Sequence, residues 1–141
     1  MPIWLLKTEP GEFSFADLAN QGVAHWDGVS NAAALIHLRS MAKGDDALIY
    51  HTGDEKAIVG LATVARGPYE DPDQPGRTPD GRPKFAVVDL KAVKAARTPL
   101  TLADIKADGR FAEFALVKQS RLSVMPVPAP LDRIIRQKTG L

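Results

Sequence analysis

Apolar and polar positions along the chain follow two different periods, and each change of period marks a change of element. Ile3-Trp4-Leu5-Leu6 is an unbroken apolar run that predicts a buried strand, ended by the turn-forming Thr8-Glu9-Pro10-Gly11. Phe13-Ser14-Phe15-Ala16-Asp17-Leu18 predicts a helix start. Ser14 caps it, Asp17 stands three residues on, and Phe13 can staple onto Leu18. A near copy, Leu100-Thr101-Leu102-Ala103-Asp104-Ile105, is the same capping solution used twice, with no wider internal repeat. Trp26-Asp27-Gly28 predicts a turn. Ser30 or Asn31 then caps a helix through Met41, with Leu35, Leu38 and Met41 or Ala42 inward and Gly44 as terminator.

Farther on, Ala47–His51 and Ala57–Ala65 predict two strands joined as a hairpin through Thr52–Lys56. Apolar residues fall on both parities there, which suits a curled or closed sheet. Gly67–Pro83 holds five prolines and three glycines, and predicts a long exposed loop. Phe85–Val93 predicts a strand, Phe114–Lys118 fits no single period, and Arg121–Val127 predicts a short strand. Leu131, Ile134 and Ile135 line a last amphipathic helix, with Pro130 in its first turn and Gly140 past its end. The sum is one α+β domain over residues 1–141, with five or six strands and three or four helices. Strands and helices do not strictly alternate, so a small mixed barrel-like sheet fits better than a doubly wound one.

Composition narrows the chemistry. The chain has no cysteine, which excludes disulfides, thiolate zinc sites and a cysteine nucleophile and agrees with a reducing compartment. No apolar run approaches the roughly 20 residues of a membrane helix. The expected location is the cytoplasm, with no membrane partner. Net charge is only +1, yet residues 1–76 carry −6 and residues 77–141 carry +7. That asymmetry places a basic face beside an acidic one unless the fold intermixes the halves.

The three histidines, His25, His37 and His51, lack metal-ligand spacing. There is no nucleophile elbow, no phosphate loop and no cofactor cradle, so neither a metal, a cofactor nor an enzyme is expected. Asp45 and Asp46 point to opposite faces of a strand and do not share a metal. What remains is a set of flat and polar side chains at the ends of elements: Trp4, Lys7, Trp26, Asn31, Tyr50, His51, Arg121 and Ser123. Aromatic faces stack on bases, amides and hydroxyls bond base edges, and cations neutralise flanking phosphates. The plainer roles are a core place for Trp4, a cap for Asn31 and an ion pair for Arg121.

Three segments carry a family resemblance. Trp4-Leu5-Leu6-Lys7-Thr8-Glu9-Pro10, Trp26-Asp27-Gly28-Val29-Ser30-Asn31 and Gln119-Ser120-Arg121-Leu122-Ser123-Val124-Met125-Pro126-Val127 resemble, in order and spacing, the motifs of the EVE-domain family. The resemblance covers nearly the whole chain. It implies a PUA-like fold and a nucleic-acid partner, DNA or RNA, whose modified base enters a pocket. By position, that pocket involves Lys7, Trp26, Asn31, Tyr50, His51, Arg121 and Ser123. The second motif departs from the family: Ser30 stands where an arginine is usual, Ala32 and Ala33 replace Tyr-Gln, and Leu35-Ile36 replace Arg-Asn. The helix start has therefore lost a cation and several polar groups. Two other readings follow from the residues. One is an enzyme using His51 with Lys7 or Asp27. The other is a protein-interaction module using the Pro-rich loop.

Overall fold

The computed structural model describes residues 2–141. Its elements, in chain order, are β1 (Ile3–Thr8), α1 (Phe15–Gln21), β2 (Val23–Trp26), α2 (Ala32–Ser40), β3 (Asp46–His51), β4 (Ala57–Glu70), β5 (Ala86–Thr101), α3 (Leu102–Ala107), a 3₁₀ turn (Gly109–Phe111), α4 (Ala115–Lys118), β6 (Val124–Pro126) and α5 (Ala129–Thr139). The six strands form one sheet in the order β2-β5-β4-β3-β1-β6. Among the described residues only β1 and β3 pair in parallel and the other pairs are antiparallel, so the sheet is mixed.

Both predicted capping sites form. Ser14 accepts from the Asp17 amide at 3.0 Å, and Asp17 accepts from the Ser14 amide at 2.8 Å. Thr101 accepts from the Asp104 amide at 3.1 Å, and Asn31 caps α2 by accepting from the Ala34 amide at 3.0 Å. Each such cap is worth about 1 kcal/mol. α2 ends at Ser40 with Met41 as its C-cap, before Gly44, whose positive φ of 94° instead serves the turn into β3.

Four differences from the sequence-based expectation have physical causes. The short strand β2 precedes Trp26, where the pattern gave only a turn; four residues are too few to show a period. The expected loop at 67–83 begins later, because β4 continues through Gly67 and Pro68 to Glu70. Register shifts between Val64 and Arg66 and between Arg66 and Tyr69 absorb the proline, as a bulge does. β5 runs on to Thr101 along a mostly exposed stretch that is held by pairing with β4 rather than by burial. β6 is confined to Val124–Pro126, so Arg121 and Ser123 precede the strand.

One continuous core takes in residues from both faces of the sheet, with Leu5, Leu6, Leu48, Ile58, Leu90, Met125 and Ile135 fully buried. Each such side chain contributes about 1.5–3 kcal/mol by leaving water. Gly60 is required by this packing: a Cβ there would stand 2.5 Å from the Phe15 ring. The acidic first half and basic second half interleave in the sheet, since β5 lies between β2 and β4 and β6 pairs with β1. The halves therefore do not form two separate faces of the sheet.

Candidate functional site

The end of β1 and the end of β2 frame a cleft of about 410 Å³. Lys7, Glu9, Phe13, Trp26 and Asp27 are among its walls. β2 is an edge strand, so Trp26 at its end is covered from one side only and stays half-buried. The Phe13 ring meets Trp26 edge-on, with centroids 6.1 Å apart, and fixes the indole plane. Gly28, at φ 73°, turns the chain out of β2 toward α2. The rim is rich in carboxylates. Glu9, Glu12 and Asp27 are all exposed, and Glu9 accepts from the Gly11 amide at 3.0 Å.

Two further depressions adjoin. Asn31, Lys118, Ser120 and Arg121 line one. Lys7, Tyr50, Lys56, Lys106 and Ser120 line the other. Lys7 belongs to both the Trp26 cleft and the lysine-rich depression, and its Nζ donates to the Ser120 carbonyl at 3.0 Å. Burial holds the Lys7 ammonium below the usual lysine range. The structure thus brings Lys7 and Trp26 to one cleft, Lys7 and Tyr50 to a second, and Asn31 and Arg121 to a third, all sharing Lys7 or Ser120 as a wall. The Asn31 side chain is also spent as the α2 cap.

His51 and Ser123 line none of these three depressions. His51 is buried and ties two turns together. Its Nε2 accepts from the Phe15 amide at 3.0 Å, and its Nδ1 lies 2.7 Å from Glu55 Oε1. Both ring nitrogens are therefore engaged. Ser123 contributes its carbonyl, which accepts from the Lys7 amide at 2.9 Å and sets the β1 end against the segment before β6. Trp4 is a core residue: its indole N–H donates to buried Asp45 at 3.0 Å.

Sequence reasoning missed one polar cluster. His25 and Asp89 are direct partners across β2 and β5, and His25 Nδ1 lies 2.7 Å from Asp89 Oδ1. The Tyr69 hydroxyl donates to the same carboxylate oxygen. Burial pushes the Tyr69 hydroxyl up to about 12, and its hydrogen bond to Asp89 adds to the rise. Burial alone would raise the Asp89 carboxyl, but the bonds from Tyr69 and His25 outweigh it and hold it below the ordinary range. His25 lines both the Trp26 cleft and a neighbouring hollow with Arg66 and Tyr69. The partners are 64 residues apart in sequence, and nothing local links them.

Residues 2–137 match the family model described as the EVE domain. Human thymocyte nuclear protein 1 is 30% identical over 152 residues, a match that covers 88% of this chain and 68% of that protein. Rpa0253 from Rhodopseudomonas palustris, solved by NMR, is 40% identical with a TM-score of 0.89, covering 99% of this chain and 94% of that one. The human THYN1 protein, solved in complex with DNA containing 5-methylcytosine, is 27% identical with a TM-score of 0.86, covering 98% of each chain. The ASCH protein of Zymomonas mobilis shares the fold alone, at 13% identity and a TM-score of 0.57 over 97% of this chain and 95% of that one.

Proposed function

Since this chain belongs to the EVE-domain family, we propose that it is a binding module for nucleic acid carrying a modified base, and that the base enters the Trp26 cleft. The observation that carries the reading is the cleft itself, walled by a half-buried indole. It stands on a fold shared with the human relative, which was solved with DNA containing 5-methylcytosine.

The physical balance is favourable. Extruding a base costs a few kcal/mol, less for an altered or unpaired one. Stacking on the Trp26 indole returns about 1–3 kcal/mol per base. A cleft of about 410 Å³ lies within the size range of small-ligand sites. The exposed carboxylates of Glu12 and Asp27 suit the donor edge of a base: a carboxylate accepts from the exocyclic amine of cytosine. They repel phosphate, so the base rather than the backbone belongs here. A binding role without covalent chemistry is supported by His51, the residue the sequence offers as a catalyst, whose two ring nitrogens are both held by the fold.

The test is direct titration of labelled oligonucleotides that differ in one modified base, beginning with 5-methylcytosine against cytosine. Wild type binds the modified strand more tightly, and Trp26→Ala weakens that binding by about 1–3 kcal/mol. Equal affinity for all strands, or no binding at low salt, overturns the reading.

A further inference from the structure

The lysine-rich depression beside the Trp26 cleft is chemically unlike it. Three ammonium groups, those of Lys7, Lys56 and Lys106, come to it from the end of β1, the β3–β4 turn and α3. No carboxylate is among its lining residues, and the carboxylate next to it, that of Glu9, accepts from the Thr52 hydroxyl at 3.3 Å. Among the described residues, none of the three lysines takes part in an ion pair. Arg77, Arg110, Lys118 and Arg136, by contrast, each have a carboxylate partner.

Lys56 is the one described non-glycine residue at positive φ, 46°, a conformation that suits glycine or asparagine better than lysine. Its carbonyl accepts from the Leu102 amide at 2.7 Å, so the backbone bond that fixes this turn does not depend on the side chain. Strain of this kind at a charged surface site points toward a ligand.

We propose that this depression is a phosphate subsite that holds a backbone phosphodiester of the strand whose base occupies the Trp26 cleft. The inference rests on the base-binding reading of that cleft, because Lys7 is a wall of both and links base to phosphate. A nucleotide presents two unlike surfaces, an edge rich in donors and an anion. The two adjoining hollows present the matching acceptors and cations.

The experiment compares wild type, Trp26→Ala, Lys56→Gly and the double variant Lys56→Gly/Lys106→Ala. Binding to modified and unmodified oligonucleotides is measured across a salt series, and inorganic phosphate is titrated separately. Removing one cation that neutralises a phosphate lowers the slope of log affinity against log salt by about 1. The double variant is expected to weaken binding to both strands about equally, at least tenfold at low salt, and to flatten the slope by about 1. The preference for the modified base is retained. Lys56→Gly alone lowers affinity while its melting temperature holds or rises, an outcome a purely structural lysine would not give. If wild type binds both strands alike and the double variant still flattens the slope, discrimination of the modified base fails, while the depression still holds a phosphate of the bound strand. Should wild type discriminate while the double variant keeps the full slope, the subsite is overturned and the base reading stands. Loss of inorganic phosphate binding with unchanged oligonucleotide affinity assigns the depression to a free anion and also overturns it. If wild type binds neither strand, both fail.

Discussion

The chain has two tryptophans, and the fold puts them in opposite surroundings. Trp4 lies on β1, between β3 and β6, and is 6% exposed. Its indole N–H is bound to Asp45, and its ring lies beside His37. Trp26 ends β2 at the sheet edge, packs on the rim of the core beside the Phe13 ring, and opens onto the cleft. Two residues of one type thus do two jobs, and strand position decides which. A strand inside the sheet has neighbours on both sides and layers on its faces. The end of an edge strand leaves one wall of a side chain uncovered, and that wall is what a planar ligand can use.

The largest test of this contrast is stability. Trp4→Ala is expected to destabilise the fold by about 3–5 kcal/mol, the range for deleting a buried tryptophan. Trp26→Ala should cost about 1 kcal/mol, as at an ordinary partly exposed site. Urea unfolding measures both. Equal losses would break the comparison.

A middle-sized effect isolates the polar side of Trp4. Asp45 is buried, and its Oδ2 accepts from both the Trp4 indole and the Ala42 amide, the latter at 2.9 Å. Asp45→Ala leaves two donors without their acceptor and should cost about 1–3 kcal/mol. It should not change oligonucleotide affinity, measured well below the unfolding midpoint. A loss of affinity equal to that of Trp26→Ala would mean that the two regions are coupled.

This contrast was partly visible in the chain. Trp4 is followed by Leu5-Leu6 and Trp26 by Asp27-Gly28, which separates an interior run from a turn. The caps at Ser14, Asn31 and Thr101 were legible because capping is local. Strands that depend on pairing were not. β2 shows no period over four residues, and the far half of β5 is mostly exposed. Pro68 reads as a breaker, yet a register shift lets β4 carry it. The same limit governs the site. The motifs mark Lys7, Trp26, Asn31 and Arg121, but only the sheet order shows that they divide among adjoining hollows. Nothing in the sequence indicates that His51 is held from both sides, since Phe15 lies 36 residues away. Lys56 and Lys106 escape notice for the same reason: isolated surface lysines in sequence, they share a depression only after folding.

The smallest effect sharpens the comparison most. Trp26→Phe keeps an aromatic face and should change stability by no more than about 0.5 kcal/mol. It also leaves Trp4 as the only indole, while Trp4→Phe leaves only Trp26. The two proteins then report separately on the two regions by fluorescence. The Trp26-only protein should emit at longer wavelength and be quenched more readily by acrylamide, because its indole is half open to water. Adding an oligonucleotide with the modified base should quench that emission, since a base stacked on the ring lies in contact with it. The Trp4-only protein should not respond, because its indole is sealed behind Asp45 in the core. A response from Trp4 equal to that from Trp26 would place the ligand somewhere other than the edge-strand cleft.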